Sequence, residues 1–323
     1  MIRPTTTSPE VTGTDRGEGV LNAFTVDVED YFHVANFEDV VSRKSWDQYP
    51  SRVVGNTTRI LDLLDRHQVK ATFFVLGWVA SRHPEIVREI HHRGHEIGSH
   101  GYWHRLIYRQ SPRQFLADLR RSRKLLEDVT GVRVRAYRAP SFSITRQSLW
   151  ALDILIEEGI EIDSSIFPIR HDRYGIPGAQ PRLHRLETSA GSLWELPPSV
   201  VSLFGRNVPV GGGGYFRLYP LALTRRWLRQ INASGHPFMF YVHPWELDPD
   251  QPRLRGCSPL SRFRHYINLA RTESRLHRLL ESFCFAPMSS LIPAVQLPLA
   301  QECLQRVPSA QPARSTLCPA RHG

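Results

Sequence analysis

Two imidazoles four residues apart, His100 and His104, and a short acidic run, Asp27, Glu29 and Asp30, are residue types that can hold a divalent cation and leave one coordination position open. Read as a helical turn, His100-x-x-x-His104 would set both rings on one face, about 5–6 Å apart at Cβ. An isolated pair of this spacing is more often surface or packing; the acids at the end of another apolar run raise the metal reading above that. His91 and His95 share the spacing, but Gly94 interrupts it, so His91, His92 and His95 read as surface or packing residues. Acids ending a buried strand are costly unless paired or metal-bound. Arg138, in Tyr137-Arg138-Ala139-Pro140, is a natural partner for one of them, and His243, between an apolar run and Pro244-Trp245, is suited to act as acid or base. The chemistry suggested is metal-dependent hydrolysis.

Each fragment follows a strand-like run. Leu21 to Val28 reads as a buried strand, Thr57 to His67 as a helix with a Thr available as cap, and Ala71 to Leu76 as the next strand. Pro84 to His92 reads as a helix closed by Gly94, His95 to Gly98 as a short strand, and Pro112 to Val129 as an amphipathic helix closed by Gly131. The alternation continues through Arg135 to Tyr137, Arg146 to Glu158 and Ile160 to Asp163, which implies a parallel sheet or barrel with its chemistry at the strand C-termini. Residues 168–214 break into Pro, Gly and short strand-like pieces and read as an insertion shaping a cleft. Pro220 to Ala233 resumes as helix, Phe238 to Val242 as a late strand, and Ser261 to Phe283 as one late helix. The expected organisation is a flexible N-terminus over 1–20, one α/β domain over 21–290 with a C-terminal extension over 250–290, and a Pro-rich disordered tail over 291–323.

The formal charge of +10 would ordinarily raise nucleic acid as a partner. From Gln251 onward, however, ten Arg face three Glu, so +7 of that charge lies in the last stretch and the body is nearly neutral. No nucleic-acid partner is expected. The apolar run Ala71 to Ala80 is about half of the roughly 20 residues that a spanning helix needs, and residues 1–20 lack the layout of a secretion signal. The expected location is cytoplasmic or peripheral to the inner membrane. Cys257, Cys284, Cys303 and Cys318 lack metal-type spacing and read as reduced thiols.

Taken in order, Thr25 to His33, His95 to His104, Tyr137 to Phe142, Ile162 to Ser165 and Val242-His243 resemble the five motifs of the polysaccharide deacetylases of carbohydrate esterase family four, the NodB-homology superfamily. Gly211 to Phe216 and Phe263 to Met288 resemble the C-terminal extension of the branch linked to exosortase-associated exopolysaccharide loci. The resemblance implies a distorted (β/α)7 barrel of about seven strands and a divalent metal of the Zn2+ type. Its roles would be general base for Asp27, metal ligands for His100 and His104, orientation of Asp27 for Arg138, general acid for His243, and tuning of His243 for Asp163. The common first motif has two adjacent Asp, whereas Val28 follows Asp27 here. The metal carboxylate is then Glu29 or Asp30, and a variant with one residue between the acids favours Glu29. The implied activity is removal of N-acetyl groups from a polysaccharide or oligosaccharide, in exopolysaccharide biosynthesis and compatible with peripheral association with a synthesis complex. The alternatives are an amidase on a non-sugar amide and a catalytically silent carbohydrate-binding protein.

Overall fold

A computed structural model describes residues 19–171 and 173–292; the flexible N-terminus expected up to residue 18, the disordered tail expected from 293, and Cys303 and Cys318 lie outside them. Strand β1 (Leu21–Val28) is the centre of the sheet. It pairs in parallel with β10 (Met239–Val242) on one edge and with β2 (Thr72–Val75) on the other, and parallel pairing continues through β3 (Glu96–Ser99), β4 (Ala136–Tyr137), β5 (Ile162–Asp163) and β7 (Gly191–Glu195). β6 (His184–Thr188) adds an antiparallel edge to β7. The stretch 168–214, expected to be an insertion, therefore supplies two strands to the main sheet. It also carries the separate hairpin of β8 (Val200–Leu203) and β9 (Arg206–Pro209). From there the chain turns back to β10, where the Tyr241 amide donates to the Gly211 carbonyl (2.7 Å). Gly212 sits so close that a Cβ would fall 2.0 Å from the Tyr241 oxygen, and its φ of +135° also favours glycine.

Alternation along the strands sorts side chains into two layers. Phe24, Val26, Val28, Phe73, Val75, Phe240 and Val242 pack outward in one core cluster with residues of α1 (Val53–Arg66), α2 (Gly77–Arg82), α3 (Pro84–His92), α7 (Leu221–Ala233) and α9 (Thr272–Leu280). Ala23, Phe74, Ala136, Ile162, Met239 and Tyr241 pack together on the inner face. A further cluster joins α4 (Pro112–Thr130) and α5 (Trp150–Glu157) to Tyr137, Leu186 and Leu193. Phe74 fits inside because its register partner is Gly98, where a Cβ would stand 2.6 Å from the ring.

Several elements follow the sequence closely. α3 has the expected bounds, and α4 ends at Gly131 in the left-handed region (φ 73°) after a Ser111/Gln114 capping box. Others differ for local reasons. The helix expected from Arg146 starts only at Trp150, because Thr145 and Ser148 form a turn in which the Ser148 hydroxyl accepts from the Thr145 amide (2.9 Å). The single late helix is split into α8 (Pro259–Tyr266) and α9, with Asn268 between them at φ 52°. α6 (Gly213–Leu218) is a further short helix. β11 (Cys284–Ala286) returns to the start of β1 on the same edge as β2. Cys257 and Cys284 are free thiols, and no described helix is long and apolar enough to cross a membrane.

α1 begins at Val53 rather than Thr57, and its cap comes from a distant residue. Asp30 Oδ2 accepts from the Arg52 amide (2.8 Å), the Val53 amide (3.1 Å) and the Ser51 hydroxyl (2.8 Å), while Oδ1 accepts from the Tyr31 amide (3.0 Å). This carboxylate satisfies orphan donors at the helix start and complements its dipole. Replacing it by alanine, Asp30→Ala, should lower unfolding stability by about 1–2 kcal/mol, in the upper range for a lost cap, as read from the urea midpoint.

Asp163 and Glu195 are register partners in β5 and β7, both fully buried. Ser165 Oγ donates to Asp163 Oδ1 (2.5 Å) and the Ile166 amide to Glu195 Oε1 (3.0 Å). Burial lifts Asp163 from 3.8 to about 6, and burial followed by the neighbouring Asp163 charge pushes Glu195 well above 4.5. The folded pair thus retains protons that the unfolded chain has already lost. Its contribution is complete below pH 3.8 and declines as pH rises toward about 6 and, through Glu195, beyond. Urea titrations from about pH 4 to about pH 8 should show a flatter stability profile for Asp163→Asn/Glu195→Gln than for the parent; identical slopes would contradict proton retention by the folded pair.

Candidate active site

The parallel strands bring their C-terminal ends to one rim. Asp27 is the penultimate residue of β1 and Glu29 follows its end; His100 follows β3, Arg138 follows β4, Ser164 follows β5 and His243 follows β10. An inner-face position and strand-end loops together account for the convergence.

Among the described residues, Glu29, His100 and His104 form a group whose ligand atoms all lie within 4.8 Å of one another, and all three side chains are buried. His100 Nδ1 donates to the Arg138 carbonyl (2.8 Å), because a carbonyl can only accept. In the neutral ring Nε2 is then left with a lone pair, the form a metal ligand requires. Burial first, ahead of the surrounding charges, lowers His100 to about 4. Glu29 Oε1 accepts from the Trp245 indole (3.3 Å). Oε2 lies 2.8 Å from His104 Nε2 but has no partner in hydrogen-bonding geometry. Two atoms this close that do not point at each other suit a shared third centre. Burial would raise the Glu29 carboxyl, yet the facing imidazoles of His104, His243 and His100 bring it well below the usual carboxylate range. On this donor set and this orphaned oxygen, the residues fit a divalent metal with one carboxylate oxygen and two imidazoles.

The imidazole pair is not helical. Residues 100–106 form a loop after β3, with Gly101 at φ 70° and His104 itself at φ 49°; the two ring centroids are nevertheless 5.2 Å apart. Asp118 on α4 holds this loop by accepting from the Tyr102 and Trp103 amides (2.6 and 3.2 Å), while Arg43 donates to the Trp103 and His104 carbonyls (2.8 and 3.2 Å). Neither residue stood out in the sequence, since nothing local marks a side chain that supports a distant loop.

Asp27 Oδ1 accepts from Arg138 Nη1 (2.6 Å). Arg138 is wholly buried and also donates to Thr25 Oγ1 (2.9 Å) and Ser164 Oγ (3.0 Å), with its guanidinium 4.2 Å from the Phe74 ring centroid. Asp27 Oδ2 and Glu29 Oε1 each lie 3.7 Å from His243 Nε2. Asp30 is not part of this cluster: its Oδ2 is occupied at the start of α1 and its Oδ1 by the Tyr31 amide. Asp163 also belongs elsewhere, facing Glu195 and Ser165. The Nδ1 of His243 is instead bonded to Glu246 Oε1 (2.7 Å), a residue the sequence reading missed although His243-Pro-Trp-Glu246 has the spacing of a capping box. Burial would lower His243, but Glu246, then Glu29 and Asp27, raise it above its ordinary value. Of the aromatics near the motifs, Tyr31, Phe32 and Trp245 are buried in the core, whereas Trp103 and Tyr215 remain partly exposed. His95 is a buried packing residue whose Nδ1 accepts from the Ala71 amide (3.2 Å).

Residues 38–155 match the family model described as polysaccharide deacetylase, and residues 164–293 match one described as a domain of unknown function (DUF3473). The chain is 32% identical over 183 residues to YheN, a candidate polysaccharide deacetylase of Bacillus subtilis (strain 168), an alignment covering 52% of this chain and 62% of that one. It is 35% identical over 103 residues to the peptidoglycan-N-acetylglucosamine deacetylase PgdA of Listeria monocytogenes serotype 1/2a (strain 10403S), covering 32% and 22%. The chain thus spans less than two thirds of either relative. Among solved structures, a candidate polysaccharide deacetylase from Mycobacterium smegmatis superposes with a TM-score of 0.61 at 22% identity, over 98% of this chain and 100% of that one, a likeness of fold. The first family model contains His100, His104 and Arg138, the second His243 and Glu246, and the strand carrying Asp27 and Glu29 precedes both. These segments share one sheet and one rim, and over residues 38–155 the chain is similar to the polysaccharide deacetylases.

Proposed function

We propose that the protein hydrolyses the acetamido group of an N-acetylated glycan, releasing acetate and a free amino sugar. The observation that carries this reading is the orphaned Glu29 Oε2, which faces His104 Nε2 beside His100, with the Asp27 carboxylate and the His243 imidazole at the same rim. The relatives named as peptidoglycan and chitooligosaccharide deacetylases support an N-acetylated sugar as substrate. A polymer made for export as exopolysaccharide is the substrate class we favour.

Glu29, His100 and His104 would hold the metal, which when bound supplies Lewis-acid polarisation of the acetyl carbonyl and makes a neighbouring water easier to deprotonate. Asp27 is the base. Its Oδ1 is tied to Arg138, leaving Oδ2 to take a proton from the attacking water. Oxygen adds to the amide carbon, and the tetrahedral species collapses with cleavage of the C–N bond as His243 delivers the proton on Nε2 to the departing nitrogen. Hydrogen bonding from Nδ1 to Glu246 leaves that Nε2 directed toward the acids of the rim.

Acetate release from a panel of N-acetylglucosamine-, N-acetylgalactosamine- and N-acetylmannosamine-containing glycans, measured beside small non-sugar amides, tests the reading. Activity confined to non-sugar amides would replace the glycan substrate, and binding without release would make the protein a silent glycan binder. Exhaustive chelation should abolish release and Zn2+ should restore it; full turnover after chelation would remove the metal from the mechanism. His104→Ala should lower metal content and cut kcat by about 10^2-fold or more, a loss comparable to a main catalytic group, with an unchanged circular dichroism spectrum.

A further inference from the structure

The Glu246 that occupies His243 Nδ1 is itself gripped from behind. Glu246 Oε2 accepts from Arg217 Nε (2.6 Å), and both side chains are about 1% exposed. The remaining Arg217 donors go to main-chain carbonyls at the end of α8 and just beyond it: Nη1 to His265 (2.6 Å) and Ile267 (2.9 Å), and Nη2 to Arg264 (3.1 Å). Trp245 stacks on His243 (centroids 5.0 Å apart) and on His265 (4.2 Å). A guanidinium bonded to one carboxylate and three main-chain carbonyls has little freedom, and neither has the carboxylate it holds.

We propose that Glu246, clamped by Arg217, is the positioning residue of the His243 acid: it fixes the Nδ1–H tautomer, turns Nε2 toward the departing nitrogen and supports the cationic ring that donates. This rests on the deacetylase reading above. It also gives the DUF3473-matched segment a job, because Arg217, His243, Glu246 and the three clamping carbonyls all lie within residues 164–293. That segment supplies proton delivery, while the polysaccharide deacetylase-matched segment supplies the imidazole ligands. Glu246 Oε1 also accepts from the His243 amide (3.0 Å), so a purely structural role is the rival to be separated.

Leaving-group dependence separates them. Amide hydrolysis needs a proton on the nitrogen as it leaves; an aryl acetate, whose phenolate departs without one, does not. The experiment measures kcat and KM of the full chain for an N-acetylated chitooligosaccharide and for 4-nitrophenyl acetate, in the parent, Glu246→Gln, His243→Ala and the double variant. Glu246→Gln should lower the amide-to-ester ratio of kcat roughly 10- to 100-fold, the usual cost of losing a residue that orients a catalytic group. The loss should fall on kcat with KM little changed, and the double variant should be no worse than His243→Ala. Should Glu246→Gln fail to fold because Arg217 is left unpaired, Glu246→Asp keeps the charge that Arg217 requires while withdrawing the acceptor from Nδ1, and should show the same fall in ratio. Equal losses on both substrates, or losses that add in the double variant, would overturn the positioning role and leave the deacetylase reading intact. A parent protein that releases acetate from no N-acetylated glycan would sink both.

Discussion

A guanidinium with no solvent exposure sits on the inner face of the sheet, and the molecule is arranged so that it can be there. Arg138 is neutralised by Asp27, and its other donors are taken by Thr25 of β1 and by Ser164, just after β5, while its plane faces Phe74 of β2. Removing one partner of such a buried pair typically costs about 3–5 kcal/mol, because the charge left behind is uncompensated. The cation bonded to Asp27 is thus also the tie between strands. Its requirements explain small choices nearby: Gly98 leaves room for Phe74, and Ser164 bonds both Arg138 and the Leu196 carbonyl (2.7 Å), joining the rim to the segment after β7.

Strands buried on both faces announce themselves as apolar runs, and for that reason β1, β2 and β10, together with the alternation of strand and helix, were legible in the sequence. So were Asp27, Glu29, His100, His104, Arg138 and His243 as residues at strand ends. Side chains that act at a distance were not legible. In the sequence Asp30 stands as the alternative to Glu29 for the metal carboxylate, but the chain turns after β1 and sends it to cap α1, a partner more than twenty residues away. Asp163 looked like the residue tuning His243 on the strength of the resemblance, whereas strand register pairs it with Glu195. The left-handed Asn268 that splits the late helix depends on tertiary context that no local pattern records.

The boundary between the two family models falls inside a continuous sheet. β5 lies in the gap between them, β7 continues its pairing, and β10 and β11 return to flank β1. β1, which precedes both segments, joins them: without β10 it would expose an apolar parallel edge, and β10 without β1 would lose its only long ladder among the described residues. The same division runs through the rim, with His100 and His104 on one side and His243 on the other. Trp245 is the stitch, since its ring packs against His243 while its indole N–H reaches Glu29.

The spacing Asp27-Val28-Glu29 also has a mechanical meaning. Successive strand residues face opposite sides, so Val28 joins the helix-facing core while Asp27 turns inward, and a residue two further on can return to the same side. The Glu29 amide bonds back to the Asp27 carbonyl (3.0 Å), a tight turn at the strand end that brings the second carboxylate round to the first. His243 Nε2 is consequently 3.7 Å from an oxygen of each. Two anions this close repel, and each is relieved differently: Asp27 by the permanent charge of Arg138, Glu29 by His104 and the indole N–H of Trp245. In the proposed mechanism this unequal relief divides the labour, leaving one acid with an oxygen free to move a proton and the other with an oxygen free to hold a cation.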